Sequence, residues 1–224
     1  MQKKLNAYHG KLSVAEVAEG MTVARHNARR LANDAATLLA AGSFPTAASL
    51  AVLAIEEAGK TSILRSLALA IDNVEIKNAW KAYRSHTSKN VMWLLPALAS
   101  AGARKLDDLR TLFDPNSDHP YLLDQLKQLG FYTDCLGTRH WSVPTKVIDQ
   151  DLARMLVTAA DVLAKEKDVA EKEIELWIEH IGPVWKKSPT YMNKGLADWY
   201  AAMQAVGLIP EGKNKMEQFI HHGS

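Results

Sequence analysis

From Val14 to Leu38, apolar residues recur at steps of three and four: Val14, Val17, Met21, Ala24, Ala28, Leu31, Ala35 and Leu38. This is the period of one buried helix face, and a stripe this long commits the first part of the chain to a helix. Ser13 and Glu16 stand at capping-box spacing in front of it, and Gly42 is placed to stop it. The spacing predicts a helix over 13–41. The turn "GSFP" is short enough to force an antiparallel return, so a second helix is expected over 44–72. A third is expected over 74–95, with Pro96 bending or ending it. Alanine is abundant in the first two helices, which lets their axes approach closely.

Residues 102–146 are less regular. "LFDPNSDHPYL" reads as a loop, a short helix follows near 121–129, and "LGFYTDCLGTRHWSVP" is irregular again. A long helix is expected over 145–180, broken at Gly182 and Pro183. A last helix starts near Ser188, with Pro189 at its first position. No run alternates as a strand would, and no repeat of fixed period is visible. The expected fold is all-α: a bundle of four to five main helices with an irregular excursion after the third. The expected division is an N-terminal extension (1–12), the bundle (13–180) and a C-terminal helical appendage (181–224). The closing "HHGS" is assigned no function.

Composition narrows the function classes only a little. The net charge of +2 over 224 residues argues neither for nor against nucleic acid. The single cysteine, Cys135, excludes a disulfide framework within the chain and makes a cysteine zinc site implausible. "MQKKLNAYHGKLS" lacks the apolar core of a signal peptide, and no uncharged apolar run approaches the ~20 residues that cross a bilayer. The expectation is a soluble cytoplasmic protein without membrane contact.

The second helix carries a fault. Written in sevens, its rows are Leu50, Glu57, Leu64, Ile71 and Thr46, Leu53, Lys60, Leu67. Glu57 and Lys60 interrupt both apolar rows within one turn, and Glu56 precedes Lys60 by four residues. A solvated pair would suit Glu56 but not residues in apolar rows. A buried structural pair competes evenly with a functional polar pocket. The third helix has a matching fault: His86 falls between Ala79 and Trp93 in its row, and Lys89 follows three later. Lys60 is thirteen residues before Asn73 and His86 thirteen after it. In an antiparallel hairpin those positions share a level, which joins Glu57, Lys60 and His86 into one candidate cluster.

Two other chemistries find less support. Carboxylate di-metal bundles need Glu-x-x-His pairs, whereas Glu56 and Glu57 are followed by Gly59 and Lys60. His119 and His140 stand alone in loops and Cys135 has no histidine at a telling spacing, so no metal and no cofactor is expected. Arg25, His26, Arg29 and Arg30 form a local basic patch, read as a solvated face that would help carry a nucleic-acid backbone if RNA binds.

These residues resemble the AbiV family of abortive infection proteins, grouped with the HEPN helical domains. "AASLAVLAIEEAGKTSIL" resembles the family's Glu-Glu-x-x-Lys helix, and "SHTSKN" its His-x-x-Lys signature. The stretch with Tyr132, Asp134 and Pro144 is similar to a later aromatic-acid-proline segment, and the likeness covers roughly residues 13–165. The resemblance implies an HEPN-like bundle, a bacterial origin and a role in phage defence. Many HEPN domains are metal-independent ribonucleases acting as dimers, with an arginine and a histidine four to six residues apart. No pair here has that interval: Arg84 and His86 have one residue between them, Arg110 and His119 eight.

On ribonuclease chemistry, His86 serves as acid or base, Lys60, Arg84 and Lys89 hold phosphate, and Glu57 orients His86 or Lys60. Glu56, Arg84, Lys89, Tyr132 and Asp134 are the expected binding residues, with Glu57, Lys60 and His86 as the catalytic set. The expected partners are a second copy of the chain, RNA or a component of translation, and a phage protein activator. The alternative is a non-catalytic binder of a phage or host protein, using Tyr132, Trp141, Arg139, His140 and Lys146. On the cluster reading, Lys60→Leu keeps the helix content and removes protection against phage.

Overall fold

The computed structural model describes residues 6–114 and 116–221. The first helix, α1 (Val14–Ala40), is opened by the expected capping box. Ser13 Oγ accepts from the Glu16 N–H at 3.2 Å, and the Glu16 carboxylate accepts from the Ser13 N–H at 2.7 Å. Gly42 follows its end at φ +77°, a left-handed conformation that glycine adopts without strain. The chain turns at once into α2 (Phe44–Ala68). Ala24, Ala28 and Ala35 of α1 and Ala47, Ala51 and Ala54 of α2 are fully or almost fully buried. Small side chains on both helices bring the backbones together, and α2 becomes the central element of the bundle.

The expected third helix is broken. α3 (Asn73–Arg84), capped by Asp72, ends where Ser85 turns extended (φ −82°, ψ 131°). Ser85 then caps α4 (His86–Lys89) by accepting from the Ser88 N–H at 3.4 Å. A serine side chain that bonds backbone two or three residues on competes with helix continuation. Pro96 lies in the first turn of α5 (Leu95–Ser100), so it starts a helix and does not end one. A 3-10 helix over Leu106–Phe113 leads to α6 (His119–Phe131). His119 is a satisfied core residue: its Nδ1 accepts from Trp93 Nε1–H at 3.0 Å, and its Nε2 lies 3.3 Å from the Leu112 carbonyl.

Within "LGFYTDCLGTRHWSVP" the structure has a two-stranded antiparallel hairpin where no strand was expected. It joins β1 (Cys135–Leu136) and β2 (His140–Trp141), with Cys135 opposite Trp141. The expected helix over 145–180 is three: α7 (Pro144–Val147), α8 (Gln150–Leu163) and α9 (Glu171–Ile181). One local cap and two tertiary bonds mark the breaks. Asp149 caps α8 by accepting from the Leu152 N–H at 2.9 Å. Between α8 and α9, the Val169 N–H donates to Thr22 Oγ1 at 3.0 Å, and Arg25 donates to the Lys167 carbonyl at 3.1 Å. Val169 itself is buried with Val17, Met21 and Ile174, so the chain bends to drop it into the core against α1.

After a 3-10 turn at Gly182–Val184 come α10 (Pro189–Ala205) and α11 (Lys215–His221). Arg65 of α2 ties this end to the bundle. It pairs with buried Glu173 at 2.6 Å and lies 5.2 Å from the ring centres of both Trp177 and Trp199. At the other end, Trp80 Nε1–H donates to the Gly10 carbonyl at 2.8 Å and holds the segment before α1 against α3. No helix among the described residues is long and apolar enough to cross a membrane.

Candidate functional site

In the first half of α2 the interior face is the alanine stripe: Leu50 and Leu53 are half-buried, whereas Ala47, Ala51, Ala54 and Ile55 are sealed, and the bulky rows become interior only at Leu64 and Leu67. Glu56, not Glu57, therefore points inward, and it is 2% exposed. Such a carboxylate must be bonded to be tolerated. Three cationic or protonatable groups from two other elements converge on it. Lys127 Nζ of α6 lies 2.6 Å from Oε1; His86 Nδ1 and Lys89 Nζ of α4 lie 2.7 and 3.3 Å from Oε2.

Two glycines create this convergence. A Cβ at Gly59 would overlap the Lys89 carbonyl, so glycine one turn beyond Glu56 lets the α4 backbone settle on α2. A Cβ at Gly130 would overlap Ser49 Oγ and lie 2.8 Å from the Pro45 carbonyl. Glycine there seats α6 on the start of α2, and the Ser49 hydroxyl donates to the Lys127 carbonyl at 3.1 Å. Lys127 is delivered to Glu56 from that anchored turn.

Lys127 Nζ also lies 2.7 Å from Asp124 Oδ1 and 3.1 Å from His86 Nδ1. The ligating atoms of Glu56, His86 and Asp124 all lie within 4.8 Å of one another, a donor set of the kind that holds a metal. Here the cation at its centre is the lysine's own ammonium. Burial opposes ionisation of Glu56, but the hydrogen bonds from Lys127 and His86 and the charges of Lys127 and Lys89 outweigh it and hold its carboxyl below the ordinary glutamate value. Burial likewise works against the Lys127 charge, yet Asp124 and Glu56 raise its pKa above the ordinary lysine value.

The His86 side chain is 54% exposed while its Glu56 partner is 3% exposed. An ionised carboxylate only accepts, so the bond to Glu56 is made by the form of His86 with its proton on Nδ1, whereas Lys127 Nζ at 3.1 Å bonds the form with Nδ1 unprotonated. In the first form Nε2 keeps its lone pair. The arrangement is an oriented imidazole on a buried carboxylate, able to take or give a proton at one exposed nitrogen.

The expected cluster is thus corrected in its members. His86 bonds to Glu56, not to Glu57 or Lys60. The even level across the hairpin holds, but about Ile71 rather than Asn73, because α2 and α3 meet there. Lys60 pairs with Glu57 at 2.6 Å, not with Glu56, and lies 5.0 Å from the Tyr83 ring centre. Arg84 turns away to the N-terminal segment, donating to the Tyr8 carbonyl at 2.5 Å and stacking 5.0 Å from the Trp80 ring centre. Lys89 belongs to the network. Tyr132 and Asp134 stand outside it, Tyr132 exposed and Asp134 bonded to Ser142 and Cys135 at the open end of the hairpin.

Lys127 and Asp124 escaped the sequence reading, although a signal existed. Lys127 interrupts the buried row Leu123, Lys127, Gly130 on α6, the same kind of fault as in α2. The basic patch on α1 is neutralised from within: Arg29 pairs with Asp161, Arg30 with Asp34 and His26 with Asp168, while Arg25 is bonded to the Lys167 carbonyl.

No curated protein and no solved structure matches this chain. The family model for AbiV, an HEPN domain, matches residues 16–165. That span holds α1 to α8, including Glu56, Gly59, His86, Lys89 and Lys127, and the family suggests an abortive-infection protein. With two thirds of its length covered and an all-helical fold built around this network, the chain belongs to the AbiV family of HEPN proteins.

Proposed function

We propose that the protein acts in abortive infection by metal-independent cleavage of RNA, with His86 as the proton-transferring group and Glu56 as the residue that orients it. The observation that carries this reading is the pairing of a buried carboxylate with a half-exposed imidazole at 2.7 Å. In that pairing Nε2 takes the 2′-hydroxyl proton as the oxygen attacks phosphorus, and Glu56 stabilises the imidazolium that forms. Lys127 and Lys89 balance Glu56 and Asp124, so the added proton makes the site net positive beneath the phosphate. One histidine supplies the base; a second copy of the chain supplies the acid for the leaving oxygen. The test is degradation of RNA in the presence of a chelator. Wild type degrades it and His86→Ala does not; intact RNA with wild type rejects the reading.

A specific observation favours a second reading, a non-catalytic protein that binds a phage or host partner. Lys60, Arg84 and Lys89, the three expected phosphate holders, are each already engaged by partners within the chain. On that reading wild type leaves RNA intact, and His86→Ala retains protection against phage.

A further inference from the structure

A cleft of about 550 Å³ beside α6 shares Asp124 with the network but contains neither His86 nor Glu56. Gln128 and Leu129 of α6 line it together with Tyr132 and Leu136, from the stretch where the chain leaves the helix for the hairpin. Its volume falls within the ~300–1,000 Å³ of small-ligand clefts. Asp124 and Asp134 both line it, and no basic side chain does.

Asp134 is rigidly presented. Its N–H donates to Ser142 Oγ at 2.8 Å, its carbonyl accepts from the Ser142 N–H at 2.7 Å, and its Oδ1 accepts from the Cys135 N–H at 2.7 Å. Oδ2 has no partner among the described residues. Asp124 gives Oδ1 to Lys127 and likewise keeps a second oxygen free. The same lining includes the Tyr132 ring, 62% exposed, and Leu136, 43% exposed.

Charge decides the class of occupant. Asp124 is paired with Lys127, so Asp134 carries the uncompensated charge of a lining that holds no basic side chain, which opposes a polyanion such as RNA and attracts a cation. Shape narrows it further. A guanidinium donates two parallel N–H groups to one carboxylate, stacks on a tyrosine face, and lays its alkyl stem along leucines. An ammonium uses the charge alone.

We propose that this cleft docks a protein partner through an arginine side chain, held by Asp134, stacked on Tyr132 and flanked by Leu129 and Leu136. The site stands whether or not the protein cleaves RNA, because none of these four residues belongs to the His86–Glu56 pair.

The experiment titrates isotopically labelled full-length protein with acetyl-Leu-Arg-Leu-amide, its citrulline counterpart and guanosine monophosphate, followed by backbone amide resonances. The arginine peptide shifts the signals of Gln125, Gln128, Tyr132 and Leu136. Citrulline in its place, or the isosteric Asp134→Asn, raises the dissociation constant about tenfold, as expected for loss of a charge-assisted bond. Tyr132→Ala, an exposed truncation that leaves the fold intact, weakens binding in the same assay. Equal binding of the citrulline peptide, an unchanged constant in both variants, or occupation of the cleft by guanosine monophosphate overturns the proposal.

Discussion

Glu56 and Lys127, seventy-one residues apart, meet at 2.6 Å across the interface of α2 and α6, and both side chains are almost wholly buried. Neither charge is tolerable alone at that depth, so each fixes where the other's helix sits. Glu56→Gln keeps the volume and leaves the Lys127 and Lys89 ammonium groups facing a neutral amide. The expected loss of unfolding free energy is about 3 kcal/mol, at the lower end for a broken buried pair because Asp124 still holds Lys127. Urea unfolding with an unchanged slope measures it.

The same pair sets the response to pH. Glu56 titrates below the ordinary glutamate value in the folded protein, so its contribution is complete above that value and is lost as pH falls through the lower, folded one. Lys127 titrates above the ordinary lysine value, so its contribution is complete below that value and is lost as pH rises through the higher one. Stability from this pair is level through neutrality and declines at both extremes. The urea midpoint followed against pH should lose part of its acid limb in Glu56→Gln and part of its alkaline limb in Lys127→Met.

Gly59→Ala separates propensity from packing. On an exposed helix the change would stabilise by about 1 kcal/mol. Here the added methyl meets the Lys89 carbonyl, and a rigid backbone atom has little freedom to yield. The expected outcome is a net destabilisation of about 1–3 kcal/mol, with faster amide exchange over residues 86–90 as α4 lifts. A gain in stability would place α4 away from α2.

Lys60→Leu and His86→Ala divide the signature helix by role. Lys60 is paired with Glu57 at 2.6 Å outside the network, with side chains 18% and 19% exposed. Lys60→Leu is therefore expected to retain protection against phage, contrary to the reading of Lys60 as a site residue, while His86→Ala loses it. Plaque counts on cells carrying each variant, with protein levels matched, check both.

Arg65→Lys tests how the C-terminal helices are held. Lysine keeps the ion pair with Glu173 but presents no planar group to Trp177 and Trp199. A loss of about 1–2 kcal/mol is expected for the desolvated stacking, with proteolytic cleavage appearing first before α10, near residues 185–188.

The sequence by itself determined that the chain is helical, where α1 begins and ends, and that one turn of α2 is out of keeping with its apolar rows. Those features are local: the period of the stripe, the Ser13–Glu16 box and the left-handed Gly42 each act within a few residues. Only the tertiary structure decided which of two adjacent glutamates faces inward. Bulky residues mark the rows of Leu50 and Leu53 as the buried ones, but around Glu56 the interior of α2 follows the alanines that let α1 approach closely, and those rows are sealed only farther on, at Leu64 and Leu67. The helices expected over 74–95 and 145–180 are broken partly by local caps at Ser85 and Asp149, which helix periodicity does not show, and partly by the fold, through the bond of Val169 to Thr22 on α1. Lys127 reached Glu56 for the same reason: a charge in an apolar row is visible along one helix, but its counter-charge lies on another, and the glycines that let the two helices touch decide the match.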